Sequence, residues 1–456
     1  MDNLAPKLTN EEYEENFAEL HPAFSHNSAT AEANRCLYCF DSPCMKACPT
    51  HIDVSTFIKK IASGNLKGSA KTILSSNWLA LTCAKACPVD VLCEGACVYN
   101  VRGEEPIQIG RLQRFVMDWY VERGMPPLFR PVPKNGKSVG IVGAGPAGLA
   151  CAAELSLMGY DVTIYEAKSE PGGLDTWGIA PYKMKREDSL NEASMVERLG
   201  AKIKTGIRIG KEISVEDLTK KHDAIFLGVG LNTPTQLRIP GENLSGVHDA
   251  LTFIEKVTSR SWRSVDVGKK VAVIGAGNTA IDAVTEAKRL GAEHVMIIYR
   301  RSRNEMSAYE FEFELAKSDG VEFHFLSAPV RILGTKHVEA IECVRMHLGA
   351  PDKKGKRVAE PVPNSEFQIP VDMVIKAVGQ KAEKDFLSQI PELRIENGNV
   401  LVDAMTFQTT NRKFFAGGDC INGGKEVVNA AADGKRAAHG VDHFVMGNRH
   451  QASNAR

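Results

Sequence analysis

The chain of 456 residues is longer than one compact core accommodates, so two or three domains are expected. Hydrophobic residues make up 43% and charged residues 25%, the balance of a soluble globular protein, and no run approaches the roughly 20 apolar residues of a membrane span. Lys+Arg and Asp+Glu both number 56, which leaves no basic nucleic-acid footprint. The acidic opening MDNLAPKLTNEEYEENF has no apolar core and does not read as a secretory signal, so a cytoplasmic protein is expected.

Along the chain, the first stretch, 1–125, reads as helices with cysteine-bearing loops. Eight of the eleven cysteines lie between Cys36 and Cys97, and in a reducing compartment such density points to metal binding rather than disulfides. Cys36, Cys39, Cys44 and Cys48 are spaced C-x2-C-x4-C-x3-C-P, and Cys83, Cys87, Cys93 and Cys97 are spaced C-x3-C-x5-C-x3-C. Neither quartet matches the paired knuckles of a zinc ribbon. A run ending in Cys-Pro resembles iron–sulfur ligation, where the last cysteine can serve the other cluster. Spacing alone does not assign each cysteine, and zinc remains the alternative. Next, Leu112, Phe115, Val116 and Trp119 share one face of a helix in RLQRFVMDWYVER. The proline-rich segment 126–136 reads as a linker.

Short apolar strands then alternate with helices, the signature of α/β layering. Two units look alike: one opens at Ser138, the other at Lys270, and each runs strand, glycine-rich turn, helix, strand. The first turn carries Gly143, Gly145, Ala147 and Gly148, a G-x-G-x-x-G fingerprint for a dinucleotide pyrophosphate. Glu166 ends its second strand, suited to a ribose hydroxyl. The second turn carries Gly275, Gly277, Asn278 and Thr279, and its second strand ends in Arg300 and Arg301 instead of an acid. Guanidinium groups suit a ribose 2′-phosphate, which favours NADPH over NADH. A solvated basic turn is the plainer alternative.

Further on, the polar stretch APDKKGKRVAEPVPNSEF is expected to form a hairpin or surface loop. Gly418 and Asp419 then follow a short strand, and a helix begins near Glu426 and Val427. An aspartate there suits the ribityl–phosphate part of FAD, and the helix N-terminus would stabilise reduced flavin. No Cys-x-x-Cys occurs after Cys97, which excludes a thioredoxin-reductase type of dithiol relay. The tail 449–456 is expected to fray.

These motifs, together with DSPCMKACPT, LTCAKACPVDVLCEGAC and IQIGRLQRF, resemble the family of glutamate synthase small subunits and dihydropyrimidine dehydrogenases over nearly the whole chain. The match is nearer to the smaller, electron-input subunit of the bacterial pyrimidine enzymes. The resemblance implies an α/β fold with two Rossmann-like domains, for FAD and NAD(P), the second inserted in the first. A helical domain with two 4Fe–4S clusters would precede them. The implied boundaries are 1–125 for the clusters, 137–246 and 373–448 for FAD, and 247–372 for NAD(P). It further implies crosswise ligation, with Cys36, Cys39, Cys44 and Cys97 on one cluster and Cys48, Cys87, Cys93 and Gln113 on the other. Cys83 would be a spare thiol. Gly173 and Leu174 would join the flavin site. Lys183 would stand near the flavin where the family has an arginine, keeping the charge without the planar fork.

The function implied is hydride transfer from NAD(P)H to FAD and release of single electrons through the clusters, with no catalytic acid or base required. The three domains leave no room for a barrel of roughly 250 residues. A partner subunit with an FMN barrel, in a hetero-oligomer, is therefore implied, for reduction of uracil or thymine. The alternatives are an input subunit of glutamate synthase or a ferredoxin-linked transhydrogenase, or a redox-sensing subunit without turnover.

Overall fold

The computed structural model describes residues 4–130, 132–259, 261–351 and 357–447. The expected tail 449–456 and the centre of the polar stretch, 352–356, lie outside the described residues. The chain forms two compact units. One takes Leu20–Thr176, Lys183–Thr233 and the chain from Lys381 onward. The other takes the N-terminal segment through Glu19, Trp177–Tyr182 and Pro234–Gln380.

The first unit begins with short helices, each started by a polar cap. Asp53 accepts from Thr56 N at the head of Val54–Ala62, and Asn65 accepts from Gly68 N at the head of Leu66–Leu74. Their apolar faces (Phe57, Ile58, Ile61, Ile73, Leu74) are fully buried, each side chain contributing about 1.5–3 kcal/mol. The helix expected around Leu112 spans Ile109–Glu122; it buries Leu112, Gln113, Val116 and Tyr120 and leaves Phe115 and Trp119 half-buried.

In the same unit the strands Phe414–Ala416, Ala224–Leu227, Ser138–Val142, Asp161–Tyr165 and Lys202–Lys204 pair in that order, all parallel. The order reverses about Ser138–Val142, which makes the carboxyl edge there a switch point where ligands bind. Helices Pro146–Leu157 and Val427–Met446 pack together closely, because a Cβ on Gly434 would lie 2.1 Å from Ala147 O. One apolar core joins the two halves: Phe57, Leu79 and Leu112 belong to the same cluster as Leu149, Ala153 and Ala437.

The second unit holds a parallel sheet in the order Val247–Asp249, Met373–Lys376, Lys270–Ile274, His294–Tyr299, Glu322–Phe325. An antiparallel sheet of Ser327–Leu333, Ala340–Pro351 and Arg357–Pro370 adjoins it in sequence, and the described residues of the polar stretch lie in its last two strands. The N-terminal segment belongs to this unit, although 1–125 reads as one helical domain. Leu4 bridges Gly268, Ala5 N donates to Val267 O at 2.9 Å, and Phe17 stacks on Trp262 at 4.6 Å. Among the described residues no helix is long and apolar enough to cross a membrane.

Candidate cofactor sites

The first turn is built by steric exclusion. Gly143 has φ +97°, and a Cβ there would lie 2.5 Å from Gly228 O; a Cβ on Gly148 would lie 2.0 Å from Gly143 O. Gly145 is different: the nearest atom to a Cβ is Gly173 Cα at 3.8 Å, so the space over the helix start is open. Helix Pro146–Leu157 starts with no side-chain cap, which leaves amides for an anion; Ala147 and Gly148 lie in its first turn. Buried Glu166 accepts from Ala144 N and Lys168 N, both at 2.8 Å, and its oxygens keep lone pairs for a hydroxyl. Gly172 N donates to Ala144 O at 2.8 Å, and a Cβ on Gly173 would lie 2.7 Å from Gly145 Cα, so this segment is pressed onto the turn. Leu174 is exposed, and Lys183 is half-buried.

Asp419 follows the parallel strand Phe414–Ala416, at the same carboxyl edge as Gly143. Its Oδ1 accepts from Lys425 N at 3.1 Å, and burial raises its pKa. Gly418 N donates to Asp433 at 3.2 Å. Helix Val427–Met446 starts at Glu426 without a side-chain cap, so its N-terminal amides carry the positive end of a 20-residue dipole.

Sequence reasoning missed Asp175. It is 1% exposed, and neither carboxyl oxygen has a hydrogen-bond partner among the described residues. Burial pushes its pKa well above the ordinary value, and Glu192 and Asp419 add to that. An unpartnered buried acid beside a glycine-rich turn is a polar atom awaiting a ligand, which fits a flavin dinucleotide. Its only signal in the sequence is an acid directly after Gly172, Gly173 and Leu174. Glu192, also fully buried and pushed up to about 8 by burial, accepts from Leu81 N (2.7 Å) and Thr82 N (3.1 Å). It thereby anchors the start of the cysteine-bearing helix Ala80–Ala86.

In the other unit a cleft of about 680 Å³ is lined by Gly275, Gly277, Thr279, Arg300, Ser307 and Lys376, among others. Asn278 and Arg301 do not line it. Asn278 Oδ1 accepts from Tyr309 N at 3.2 Å, a structural role. Arg300 is exposed; Arg301 is half-buried, and its Nε has no partner among the described residues, a donor that suits a phosphate. A Cβ on Gly275 would lie 2.2 Å from Ala377 O, whereas one on Gly277 would meet only Ser307 Oγ at 3.2 Å. Lys376, also missed by sequence reasoning, is buried at the cleft with Gln236 Oε1 (2.9 Å), Glu242 Oε1 (3.0 Å) and Asp249 Oδ1 (3.1 Å).

The cysteines divide into two sets. Cys36, Cys39, Cys44 and Cys97 line one small pocket with Val54, Ile58 and Ile107. Burial pushes the Cys44 thiol up to about 11, and nearby Cys36 and Cys97 add to it. Burial likewise raises Cys93, helped by Glu94 and Cys48. At Cys87 a hydrogen bond from Cys83 lowers the pKa, but burial, Cys93 and Cys48 leave it raised. Cys48, Cys87 and Cys93 thus lie within electrostatic reach of one another. Gln113 Nε2 donates to Ala80 O at 2.6 Å, which leaves Oε1 without a donor among the described residues. No group of three His, Cys, Asp or Glu side chains among the described residues could hold a single metal ion. The donor chemistry, mainly thiols half-buried or buried, fits a cluster held at its corners.

A family model described as dihydropyrimidine dehydrogenase domain II, 4Fe–4S cluster, matches residues 13–125, and one described as pyridine nucleotide–disulphide oxidoreductase matches 137–434. The glutamate synthase [NADPH] small chain of Escherichia coli is 35% identical over 444 residues, covering 94% of each chain. The NAD-dependent dihydropyrimidine dehydrogenase subunit PreT of Escherichia coli is 34% identical over 429 residues, covering 94% of this chain and 97% of its own. The NADP(+)-dependent formate dehydrogenase subunit beta of Moorella thermoacetica is 36% identical over 430 residues, and there this chain spans only 60% of the relative's length. Among solved structures, FprA of Mycobacterium tuberculosis in complex with NADPH matches with a TM-score of 0.57 at 20% identity, covering 72% of this chain and 87% of that one, a likeness of fold. The chain belongs to the pyridine nucleotide–disulphide oxidoreductase family, with a 4Fe–4S domain ahead of its Rossmann-type folds, and is an NAD(P)H-dependent flavin oxidoreductase akin to the glutamate synthase small chains.

Proposed function

We propose that this chain is the electron-input subunit of a hetero-oligomeric reductase, with NADPH in the cleft at Gly275–Thr279, FAD at the turn Gly143–Gly148, and two 4Fe–4S clusters. Bound FAD would take hydride from the nicotinamide and release electrons singly to the clusters. In this reading residues 20–125 hold the clusters, 137–233 and 381–447 the FAD, and 234–380 the nucleotide, wider than the expected 247–372 because Gln236 and Lys376 line that cleft. Glu166 binds a ribose hydroxyl, Asp419 the ribityl–phosphate part, and the amides after Glu426 the electron-rich flavin edge. Gly173, Leu174 and Lys183 complete that site. Arg300 and Arg301 receive the 2′-phosphate. Cys36, Cys39, Cys44 and Cys97 hold one cluster, and Cys48, Cys87, Cys93 and Gln113 the other.

The observation that carries this reading is the shared core. The cysteine-bearing helices and the flavin-type sheet are one compact unit, and Glu192 bonds directly to the helix that leads to Cys87. Leu37, 52% exposed, lines the first cysteine pocket, and Phe40 beside it is fully exposed, which makes this loop the face where an acceptor approaches. The partner in this reading carries FMN in its own barrel and reduces a pyrimidine such as uracil. Gln113 favours that branch over a glutamate synthase partner, where an acid stands.

Anaerobic titration with NADPH and, separately, NADH tests the reading by absorbance and EPR. Flavin bleaching with iron–sulfur signals, at about eight irons per chain, is the expected result. Bound zinc, or a flavin neither nucleotide reduces, overturns it. Addition of a purified FMN-barrel subunit then tests the pyrimidine branch, which fails if uracil is not reduced.

A further inference from the structure

Arg300 lines one side of the nucleotide cleft, and the other side carries a buried lysine. In the parallel sheet, strand Lys270–Ile274 runs into the glycine turn with His294–Tyr299 on one flank and Met373–Lys376, then Val247–Asp249, on the other. A dinucleotide crosses such a sheet where the strand order reverses. With its adenosine half on the Arg300 flank, its nicotinamide half comes to the flank of Lys376 and Asp249, which are register partners and both line the cleft.

Lys376 Nζ has three hydrogens and meets three acceptors: Gln236 Oε1 at 2.9 Å, Glu242 Oε1 at 3.0 Å and, as an ion pair, Asp249 Oδ1 at 3.1 Å. No hydrogen is left for a ligand, so this lysine orients the side chains around it. Glu242 in turn accepts from Leu237 N at 2.8 Å and Arg238 N at 2.7 Å, and Thr235 N donates to Gly379 O at 3.0 Å. The backbone on both sides of Gln236 is thereby tied down. Because an ammonium only donates, the exposed Gln236 amide turns Oε1 to it; Nε2, a pure donor, makes no hydrogen bond among the described residues. Asp249 gives Oδ1 to Lys376 and keeps Oδ2, an acceptor, on a side chain 28% exposed. One donor and one acceptor are thus pinned to the same wall of the cleft.

We propose that Lys376 is a positioning residue that sets Gln236 and Asp249 as a donor–acceptor pair for the carboxamide of the nicotinamide, Gln236 donating to its oxygen and Asp249 accepting from its NH2 group. This rests on the reading that the cleft holds NADPH. A primary carboxamide is the complement of such a pair, and a partly buried carboxylate left facing a methyl group costs affinity. The pair therefore selects the carboxamide over groups of similar shape that lack the N–H.

Calorimetric binding to the full-length protein tests this with three probes: NADP+, its 3-acetylpyridine analogue, in which a methyl group replaces the NH2, and 2′,5′-ADP, which has no nicotinamide half. The unsubstituted protein should bind NADP+ about tenfold tighter than the analogue. Asp249→Ala and Lys376→Met should bring the two nearly level. Gln236→Ala should weaken both several-fold and keep their ratio, and 2′,5′-ADP should bind every variant alike. A preference that survives Asp249→Ala overturns the proposal, as does one that survives in a Lys376→Met protein still binding 2′,5′-ADP. So does a loss of 2′,5′-ADP affinity in Gln236→Ala as large as the loss for NADP+, which would put Gln236 at the adenosine half. Where Lys376→Met does not fold, Asp249→Ala and Gln236→Ala decide. If the unsubstituted protein binds none of the three probes, the NADPH reading itself falls, and 2′,5′-ADP tells that failure from the others.

Discussion

At the first glycine-rich turn a carboxylate, Glu166, ends the second strand and ties down Ala144 and Lys168; at the second turn Tyr299, Arg300 and Arg301 stand in that place. The leading glycines are alike, each barred from carrying a Cβ by a backbone oxygen, Gly228 O at 2.5 Å or Ala377 O at 2.2 Å. The middle glycines are alike too, since a Cβ on Gly145 or Gly277 meets nothing closer than 3.2 Å. The leading glycines therefore serve the chain, and the middle ones leave space open over the helix start. The turns part company at the third position, Gly148 against Ala280, and in the charge beyond it. A shared backbone device would, in the proposed reading, be steered to two different nucleotides by a few side chains.

Breaking the first turn has the largest effect. Glu166→Ala leaves the buried Ala144 N–H unpaired, at about 1–3 kcal/mol, takes one acceptor from Lys168 N and removes the ribose acceptor. Purified protein should be largely free of FAD, with a lowered melting temperature, as absorbance and calorimetry will read. Full FAD occupancy would show that Glu166 does not touch the cofactor. Gly148→Ala comes next. Its Cβ would fall 2.0 Å from Gly143 O, an overpacking against backbone that costs about 1–3 kcal/mol or more.

The charge difference is sharpened at the second turn. Arg300→Ala, at the cleft, should lower kcat/KM for NADPH about tenfold, equivalent to about 1.4 kcal/mol, and Arg301→Ala, whose side chain does not line it, by less, both leaving NADH nearly unchanged. Equal losses with both nucleotides would place the arginines away from the 2′-phosphate. Two of the buried charge-bearing side chains beyond these turns also differ. Lys376 is hydrogen-bonded or ion-paired to three side chains, whereas neither Asp175 carboxyl oxygen has a hydrogen-bond partner among the described residues. Its folded pKa lies above the ordinary 3.8, so the folded apoprotein holds a proton that the unfolded chain releases. Stability then falls with rising pH above that value, by about 1.4 kcal/mol per unit until the folded pKa is reached. Asp175→Asn removes the slope, and its gain in apoprotein melting temperature should be larger at pH 8 than at pH 5. An equal gain at both would mean Asp175 is ionised in the fold.

The glycine turns, the strand–helix alternation and the start of the last helix at Glu426 are legible in the sequence because each rests on local rules of positive φ and hydrophobic period. The division of the cysteines is less so, since spacing along the chain does not say which loops meet. Three features are invisible for the same reason. Lys376 gathers Gln236, Glu242 and Asp249 from distant segments, Glu192 reaches Leu81 over a hundred residues away, and the N-terminal segment pairs with Val267. Arg301 and Asn278 sit within a recognisable motif yet do not line the cleft, because a motif fixes the backbone and not each rotamer.

The smallest effect is the reciprocal of the Gly148 substitution. Ala280 is fully buried in helix Asn278–Arg289, so the second turn carries at this position the Cβ that the first cannot. Ala280→Gly introduces no clash and removes only a methyl group and some helix propensity, a cost of about 1 kcal/mol. Nucleotide affinity should be nearly unchanged, because the amides facing the pyrophosphate remain. A loss as large as that of Gly148→Ala, by chemical denaturation, would mean that the methyl wedges this helix against its strand. The two turns would then differ in how they are packed as well as in what they bind.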